Sequence, residues 1–341
     1  MGRAAILRAS GALPRMLPGM LLGAAVAAAA LGGAPATATA DPVAVADPLE
    51  RPALARRAPE RAVLLDAALA GTRLVAVGER GLILLSDDAG RTWRRQLDGG
   101  TAARLALEAA AALGASDPAA TRALRAAELL VADGPDKPFL TLHFLDESRG
   151  FVAGAFGLIF RTLDGGGHWT PWMGRVENPG GHHLYAIRSD GRTLYLAGEQ
   201  GLFLASTDGG ERFAPVPVPY EGTFFSLDAG PDGRVAVGGL RGNVFVSDRG
   251  GASWRRIDDL PDASVNALRW LPDGRLLVAN QAGRLFLASV NGTAARPLPV
   301  PPSPPIAGAT PDGGGGLVTV GMAGPGRVDA GMLAKAGRAA P

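Results

Sequence analysis

The residues of this 341-residue chain that could do chemistry are few, and its four histidines are the first to consider. A metal site needs ligands that converge, but His143, His168, His182 and His183 are spread along the chain, which has no cysteine. His182 and His183 are adjacent, so in a strand they would point to opposite faces and would not chelate together. The sequence therefore predicts no metal site, no cofactor and no thiol chemistry.

Glycoside hydrolysis by a tyrosine nucleophile, as in sialidases, is the second chemistry to consider. Such a site needs an arginine cluster for the substrate carboxylate, a Tyr–Glu pair and an acidic Asp. The chain has three tyrosines, and Tyr185 and Tyr195 fall within predicted strands, whereas Tyr220 falls in a loop. We expect no enzyme activity, and the alternatives are a sialidase-like glycoside hydrolase or a carbohydrate-binding propeller that does not hydrolyse.

Acidic residues recur in the Asp-box motif, S/T-x-D-x-G-x-S/T-W. The copy from Ser86 to Trp93 is complete, the copy ending at Trp169 has His168 at the second hydroxyl position, and the fourth copy has Arg249 in place of Asp. One carboxylate per turn is too few for calcium, so each copy predicts a turn closed by carboxylate–amide bonds and a packed aromatic ring. The structural Asp-box residues are Ser86, Asp88, Gly90, Trp93, Thr162, Asp164, Gly166, Trp169, Ser206, Asp208, Gly210, Phe213, Ser247, Gly251 and Trp254.

A Gly-x-x-Gly phrase recurs in phase with the Asp-box and sets the period of the chain. Its second glycine stands at 81, 157, 201, 242, 283 and 324, in steps of 76, 44, 41, 41 and 41. A period near 41 residues with four short apolar segments is typical of one four-stranded propeller blade. The sequence predicts an all-β propeller over residues 63–341, with six blades favoured and seven possible.

Residues 101–137 account for the long first step and predict an α-helical hairpin. One helix is expected from Thr101 to Leu113, where Gly114 ends it, and a second from about Pro118 to Val131. The hairpin lies in the link between the first two blades. Because such links and the turns after second strands lie on the same face, the hairpin should share its face with the Gly-x-x-Gly turns, opposite the Asp-boxes.

The first 40 residues have the features of a secretory signal peptide. Arg3, Arg8 and Arg15 precede an apolar run, and Ala38-Thr39-Ala40 form a cleavage site. Removing these residues changes the formal net charge from +2 to −1, so charge gives no support to nucleic-acid binding. Residues 41–62 are interpreted as a linker and a ring-closing strand, which the sixth unit lacks. We expect a periplasmic or secreted protein that does not span the membrane after cleavage.

The residues inside the Gly-x-x-Gly turns differ from unit to unit, as in propellers that bind partners through variable loops on a constant scaffold. Phe156 and Tyr220 are aromatic loop residues that can anchor an interface. The candidate partner-binding residues are Glu79, Arg80, Phe156, Glu199, Gln200, Tyr220, Arg241 and Gln281.

Two segments, Val77 to Trp93 and Phe151 to Trp169, resemble bacterial relatives of the photosystem II stability/assembly factor family of BNR-repeat propellers. The resemblance covers roughly residues 63–290. It implies a non-enzymatic propeller that binds another protein, since family members bind a photosystem reaction-centre precursor. In non-photosynthetic bacteria it implies an exported accessory factor for a membrane protein complex, such as a resistance-nodulation-division (RND) transporter. It also implies a basic partner-binding patch, for which Arg80 and Arg241 are candidates.

Overall fold

The computed structural model describes residues 62–114, 118–289, 294–301 and 303–338. The predicted signal peptide and residues 41–61 of the predicted ring-closing segment lie outside these ranges. Within them, 23 strands form six antiparallel sheets, five with four strands and the last with three. Strands are paired in chain order inside every sheet, so each unit of the repeat is one sheet.

The sheets are numbered 1 to 6 in chain order, and each begins with the strand that follows the link from the preceding sheet. Their strands are β1 (Leu64–Ala70), β2 (Arg73–Gly78), β3 (Leu82–Ser86) and β4 (Arg94–Leu97) in sheet 1; β5 (Phe139–Phe144), β6 (Gly150–Gly154), β7 (Ile159–Thr162) and β8 (Thr170–Pro171) in sheet 2; β9 (Leu184–Ser189), β10 (Leu194–Gly198), β11 (Phe203–Ser206) and β12 (Ala214–Pro215) in sheet 3; β13 (Phe224–Ala229), β14 (Val235–Gly239), β15 (Val244–Ser247) and β16 (Arg255–Ile257) in sheet 4; β17 (Val265–Trp270), β18 (Leu276–Asn280), β19 (Leu285–Ala288) and β20 (Ala295–Pro297) in sheet 5; and β21 (Ile306–Pro311), β22 (Leu317–Gly321) and β23 (Gly324–Val328) in sheet 6.

The sheets pack face to face around five consecutive interfaces. In each interface the first strand of a sheet lies against the first two strands of the preceding sheet. Val75 and Leu85 of sheet 1 thus share an apolar core with Leu142 and Phe160 of sheet 2. Inner strands such as β14 are buried along their whole length because both of their faces are covered. The predicted all-β propeller with six blades is confirmed, and its last sheet has three strands within the described ranges.

The insert between sheets 1 and 2 is a helical hairpin, as predicted. It consists of α1 (Gly99–Ala112) and α2 (Pro118–Ala132), which begin or end within two residues of the expected positions. Asp98 caps α1 by accepting a hydrogen bond from the Thr101 amide at 2.9 Å. The start of α1 lies against the turn after β2, where a Cβ on Gly99 would be 2.7 Å from the Arg80 carbonyl oxygen. The hairpin therefore touches a Gly-x-x-Gly turn.

A third helix, α3 (Ala330–Arg338), follows the last strand. Leu333 from α3 joins the apolar core between sheets 5 and 6, and its carbonyl oxygen accepts a hydrogen bond from Arg275 at 2.9 Å. The helices in the described ranges are all too short or too polar to cross a membrane.

Candidate partner-binding face

The Gly-x-x-Gly turns join the second and third strands, and in four sheets they share one unusual backbone conformation. Their third residues are all in the left-handed region, with φ between 53° and 56°. For a residue with a side chain, this backbone conformation costs roughly 1–2 kcal/mol, and bulky residues rarely adopt it. The four residues are Arg80, Phe156, Gln200 and Arg241.

The glycine that ends each turn is required by close packing of the next link. Gly201 has φ 72°, and a Cβ on it would collide with the carbonyl oxygen of Tyr220. Gly242 is placed in the same way against the carbonyl oxygen of Pro261. The chain entering the next sheet therefore fixes the end of each of these turns, while the third residue of the turn stays at the end of its sheet.

Two of the predicted partner-binding residues bind their own sheets. Glu79 accepts a hydrogen bond from the Val63 amide at 3.2 Å, and Glu199 accepts one from the His183 amide at 2.8 Å. In each case the donor is the residue just before the first strand. These carboxylates tie the turn to the start of the sheet, so their first role is in the scaffold.

The other predicted residues differ in exposure. Tyr220 is half-buried, because its ring lies 5.3 Å from that of Phe224 and its hydroxyl donates to the Leu240 carbonyl at 3.4 Å. It lies in the link between sheets 3 and 4 and is not an open loop tip. Arg80 is half-buried. The exposed residues are Phe156, Gln200, Arg241 and Gln281.

Phe156 is the most unusual residue of this face. Its side chain is 53% exposed although Ala155 and Gly157 on either side are buried. Its backbone has φ 55° and ψ 34°, so an exposed aromatic side chain is held in a strained conformation. The Lys137 Nζ lies 5.4 Å from the centroid of its ring. Lys137 is itself buried and paired with Asp133 and Asp136 at the end of the hairpin.

Phe156 begins a line of aromatic side chains that crosses three sheets. Its ring centroid is 4.8 Å from that of His183, which is 6.1 Å from that of Tyr185, which is 5.1 Å from that of Phe225. We call these four residues the aromatic row. Tyr185 and Phe225 are the second residues of β9 and β13, so the row passes from a turn of sheet 2 to the first strands of sheets 3 and 4.

The tyrosines are poorly suited to nucleophilic chemistry. Burial raises the pKa of Tyr185, and the negative charge of Glu199 raises it further. Burial also raises the pKa of Tyr220, and that of Tyr195 to about 12. A nucleophilic tyrosine needs a lowered pKa or an adjacent base that takes its proton. The hydroxyl of Tyr195 instead donates to Asp190 at 3.1 Å.

The histidines are placed singly. His182 and His183 both precede β9. Nδ1 of His183 is hydrogen-bonded to Glu199 at 2.8 Å, and Nδ1 of His168 to Asp164 at 2.6 Å. Across the ranges that the structure describes, no group of three His, Asp or Glu residues is arranged to hold a metal ion.

The Asp-box turns lie at the other ends of the strands and are closed by their own side chains. Asp88 accepts hydrogen bonds from the hydroxyl of Thr92 at 2.6 Å, from its amide at 2.9 Å and from the hydroxyl of Ser86 at 2.8 Å. These bonds, with that from the Thr92 hydroxyl the largest cause, lower the pKa of Asp88 to about 2. Gly90, with φ 83°, donates its amide to Ser86 at 2.8 Å.

The other copies repeat this geometry with small changes. The hydroxyl of Thr162 donates to Asp164 at 2.9 Å, and the hydroxyl of Ser206 to Asp208 at 2.7 Å. In sheet 4, where Arg249 replaces the acid, the amide of Gly251 still donates to Ser247 at 2.8 Å. The polar groups of the motif are hydrogen-bonded to side chains and amides of the same turn, which supports a structural role. The remaining predicted members, Gly166, Gly210, Trp93, Trp169, Phe213 and Trp254, belong to the same turns.

Comparison with known proteins shows which family this chain resembles. Residues 127–295 match the family model of the photosynthesis system II assembly factor YCF48. The photosystem II assembly lipoprotein Ycf48 of Synechococcus sp. (strain CC9902) is 30% identical over 119 residues, which are 34% of this chain and 35% of that protein. The chloroplastic photosystem II stability/assembly factor HCF136 of Arabidopsis thaliana is 24% identical over 141 residues, 40% of this chain and 33% of that protein. The aligned region thus spans about a third of each relative.

Solved structures of YCF48 proteins are also similar to this chain. One, of YCF48 bound to a D1 peptide, has a TM-score of 0.44 and 19% identity, and covers 56% of this chain and 66% of that chain. Another, of YCF48 from Cyanidioschyzon merolae, has a TM-score of 0.42 and 17% identity, and covers 54% and 66%. The fold assignment rests on the six sheets themselves and not on these two likenesses. Over residues 127–295 the chain resembles the family of photosystem II assembly factor-like proteins, and the resemblance predicted from its sequence is confirmed.

Proposed function

We propose that this chain is a non-enzymatic binding protein that acts as an assembly or accessory factor for a membrane protein complex. The Gly-x-x-Gly face holds the protein partner, and the aromatic row supplies the anchor. The observation that carries this proposal is Phe156, which is 53% exposed and held in the left-handed region. The names of the relatives, which are assembly and stability factors, support a role in assembly.

Phe156 has the properties of an interface anchor. An exposed aromatic side chain in a fixed backbone loses little conformational freedom when a partner covers it. The His183 ring lies 4.8 Å from the Phe156 ring at an angle of 46°, and the Lys137 ammonium lies over the Phe156 ring, so the ring is positioned before a partner arrives. Anchors of this kind typically contribute about 2 kcal/mol or more to binding, which compensates for the backbone strain at Phe156.

The variable residues around the anchor give the face its selectivity. Gln200 and Arg241 occupy the same turn position as Phe156 in sheets 3 and 4, and both are exposed. Exposed polar and charged groups at the rim of an interface mainly select partners and raise the association rate. This division fits a protein that recognises one complex by an apolar anchor and a polar surround.

The location and the partner are the finer parts of the proposal. The signal-peptide features of residues 1–40 support export to the periplasm or beyond. The family resemblance supports a membrane protein or transporter as the partner, with an RND-type transporter as the specific candidate. Cell fractionation tests the first statement, and a resident cytoplasmic pool of the full-length chain would contradict it.

The binding face is tested by a pair of alanine variants. Phe156→Ala should lower recovery of the crosslinked partner from intact cells at least tenfold, at unchanged melting temperature. Leu163→Ala is the matched control, because Leu163 is 62% exposed but lies in an Asp-box turn at the opposite ends of the strands. Partner recovery that is lost in the control and kept in Phe156→Ala would place the interface elsewhere. Glycan binding that depends on Phe156 would favour the carbohydrate-binding alternative.

A further inference from the structure

The fourth strand of a sheet has one side paired with the third strand and one side turned away from the sheet. Along such an edge strand, successive residues direct their backbone N–H and C=O groups alternately toward the partner strand and away from it. A row of outward N–H groups is a template on which a strand of another molecule can pair. The residues at the outward positions therefore decide whether the edge is open to such pairing.

One outward position is equivalent in the five sheets for which the structure describes a fourth strand. It pairs with the residue three positions after the second glycine of the Gly-x-x-Gly turn, as Pro215 pairs with Leu204 in sheet 3. Three of the sheets have proline at this position, and the other two have arginine. The residues are Arg95, Pro171, Pro215, Arg256 and Pro297 in sheets 1 to 5.

The hydrogen bonds of the following residues define the direction of the proline nitrogens. Trp172, which follows Pro171, donates its amide to the Ile159 carbonyl of β7 at 2.9 Å. The amides of Val216 and Leu298, which follow the other two prolines, donate in the same way to the third strands of their sheets at 2.9 and 2.8 Å. Because neighbouring residues alternate, the nitrogen of each proline points away from the sheet, and it carries no hydrogen to donate there.

Sheets 3 and 5 continue the pattern beyond the fourth strand. Residues 215–219 read Pro-Val-Pro-Val-Pro, and residues 297–301 read Pro-Leu-Pro-Val-Pro. In both segments the prolines are exposed, while the residues between them pack into the apolar cores against sheets 4 and 6. The carbonyl oxygen of Pro217 also accepts a hydrogen bond from the indole of Trp254 at 2.9 Å. Each edge thus presents three prolines at alternate positions, none of which has an N–H group.

We propose that these prolines close the outer edges of sheets 2, 3 and 5 to strand addition and so prevent edge-to-edge association with a second copy of this chain. Proline removes the outward donor, and its ring keeps a second backbone at a distance. Sheet 2 is also covered by the hairpin, since α1 lies against β8. In sheets 1 and 4, Arg95 and Arg256 place a charged side chain at the equivalent position, which is another common protection of an edge.

The segments of sheets 3 and 5 need this protection most, because they otherwise have the pattern of a pairing strand. Their inward residues are Val216, Val218, Leu298 and Val300, which alternate with exposed positions. Alternation of buried branched residues with exposed ones is typical of a half-buried β-strand. The outward donors are therefore the element of a pairing edge that the prolines take away.

Restoring the outward N–H groups tests the proposal. Pro297→Thr/Pro299→Thr gives the edge of sheet 5 two outward donors and leaves Leu298 in place. The association constant for dimers or larger species, measured by sedimentation velocity over a concentration series, should rise roughly tenfold or more, because each donor gains a backbone hydrogen bond in the paired state. The matched control is Pro231→Thr/Pro272→Thr, which changes two exposed prolines of the Pro-Asp-Gly turns. Circular dichroism establishes that both variants are folded.

Proline substitutions in sheet 4 test the geometry without relying on association. Arg256→Pro should keep the melting temperature within about 2 °C of that of Arg256→Ala, because the N–H at this position points outward. Arg255→Pro should lower it by roughly 4 °C or more relative to Arg255→Ala, since the neighbouring N–H points to β15. The alanine variants account for the loss of each side chain.

The results separate the proposal from its alternatives. Self-association that rises in the edge variant and not in the control supports it, as does tolerance of proline at position 256 and not at 255. Unchanged association of the folded edge variant, or equal effects of proline at the two arginine positions, overturns it. Loss of the crosslinked partner without self-association would mean that the prolines contact the partner, which also overturns it. Pro215→Thr/Pro217→Thr repeats the test on sheet 3, so the outcome does not depend on the folding of one variant.

Discussion

His143 allows a quantitative prediction about the dependence of stability on pH. Burial in β5, together with the positive charge of Arg188, lowers the pKa of His143 from 6.5 to about 4. The Arg188 guanidinium is in turn 3.6 Å from the Asp66 carboxylate, so His143 lies beside a charged cluster to which sheets 1 and 3 contribute. Replacing His143 by Gln removes the titrating ring and leaves Arg188 and Asp66 in place.

The sign and the size of the effect follow from the lowered pKa. As the pH falls, the unfolded chain takes up the proton first, so the contribution of His143 to stability is complete above about pH 6.5. It is lost progressively as the pH falls toward 4. Because the pKa falls from 6.5 to about 4 and each tenfold change in proton affinity corresponds to about 1.36 kcal/mol, the full loss is about 3 kcal/mol.

The assay is urea unfolding of the natural chain and of His143→Gln at several values of pH between 4 and 8. The difference in unfolding free energy between the two proteins should change by about 3 kcal/mol across this range, because other titrating groups cancel. Arg188→Gln should raise the pKa of His143, as followed by NMR of the imidazole ring. An imidazole that titrates near 6.5 in the folded natural chain would refute the reasoning.

Three further predictions concern the turns and the contacts between sheets. Asp88→Asn should lower the melting temperature at pH 7 and have a much smaller effect near pH 2. The hydrogen bonds from Thr92 stabilise only the carboxylate, and their contribution is lost as the pH falls from about 4 through the folded-state pKa of about 2. Gly201→Ala should cost about 1–3 kcal/mol in urea unfolding, since the new Cβ meets the carbonyl oxygen of Tyr220 at positive φ; a neutral result would mean that the link moves freely. Ser226→Ala should cost about 1 kcal/mol in the same assay, because the buried hydroxyl bonds to a backbone carbonyl of sheet 5 at 3.1 Å.

Much of the fold could be predicted because its signals are local. Turn glycines and Asp-box residues act within a few positions of the chain, so they recur visibly at the period of the sheet. The ends of the weakly paired outer strands were less predictable, and the fourth strand of sheet 3 comprises only Ala214–Pro215. Just before it, the Phe213 amide donates to the Arg175 carbonyl and the Phe213 carbonyl accepts from the Glu177 amide, so the link between sheets 2 and 3 takes these backbone hydrogen bonds.

The candidate site was only partly predictable because it depends on contacts between units. Phe156 could be recognised as a variable turn residue, but its neighbours His183, Tyr185 and Phe225 come from two other sheets. The distances between their rings are set by the packing of one sheet on the next. Comparing equivalent positions would have found Tyr185 and Phe225, since both are the second residue of a first strand.

The two kinds of turn differ in what they leave available for binding. In the Asp-box turns, the hydroxyl, the carboxylate and the amides satisfy one another, so few polar groups remain for a ligand. In the Gly-x-x-Gly turns, the backbone is held from both sides: Ala155 donates to the Pro138 carbonyl at 3.1 Å, and Leu158 donates to that of Ala155 at 3.0 Å. The third residue takes no part in these bonds through its side chain.

That third position can therefore change without loss of the scaffold. The same left-handed conformation is kept with Arg, Phe, Gln and Arg in sheets 1 to 4, so the backbone does not depend on which side chain is present. One such position per sheet, exposed in sheets 2 to 4 and half-buried in sheet 1, produces a surface at one end of the strands whose chemistry is set residue by residue. For a binding protein this arrangement separates selection for stability, which acts on the glycines, from selection for a partner, which acts on residues such as Phe156.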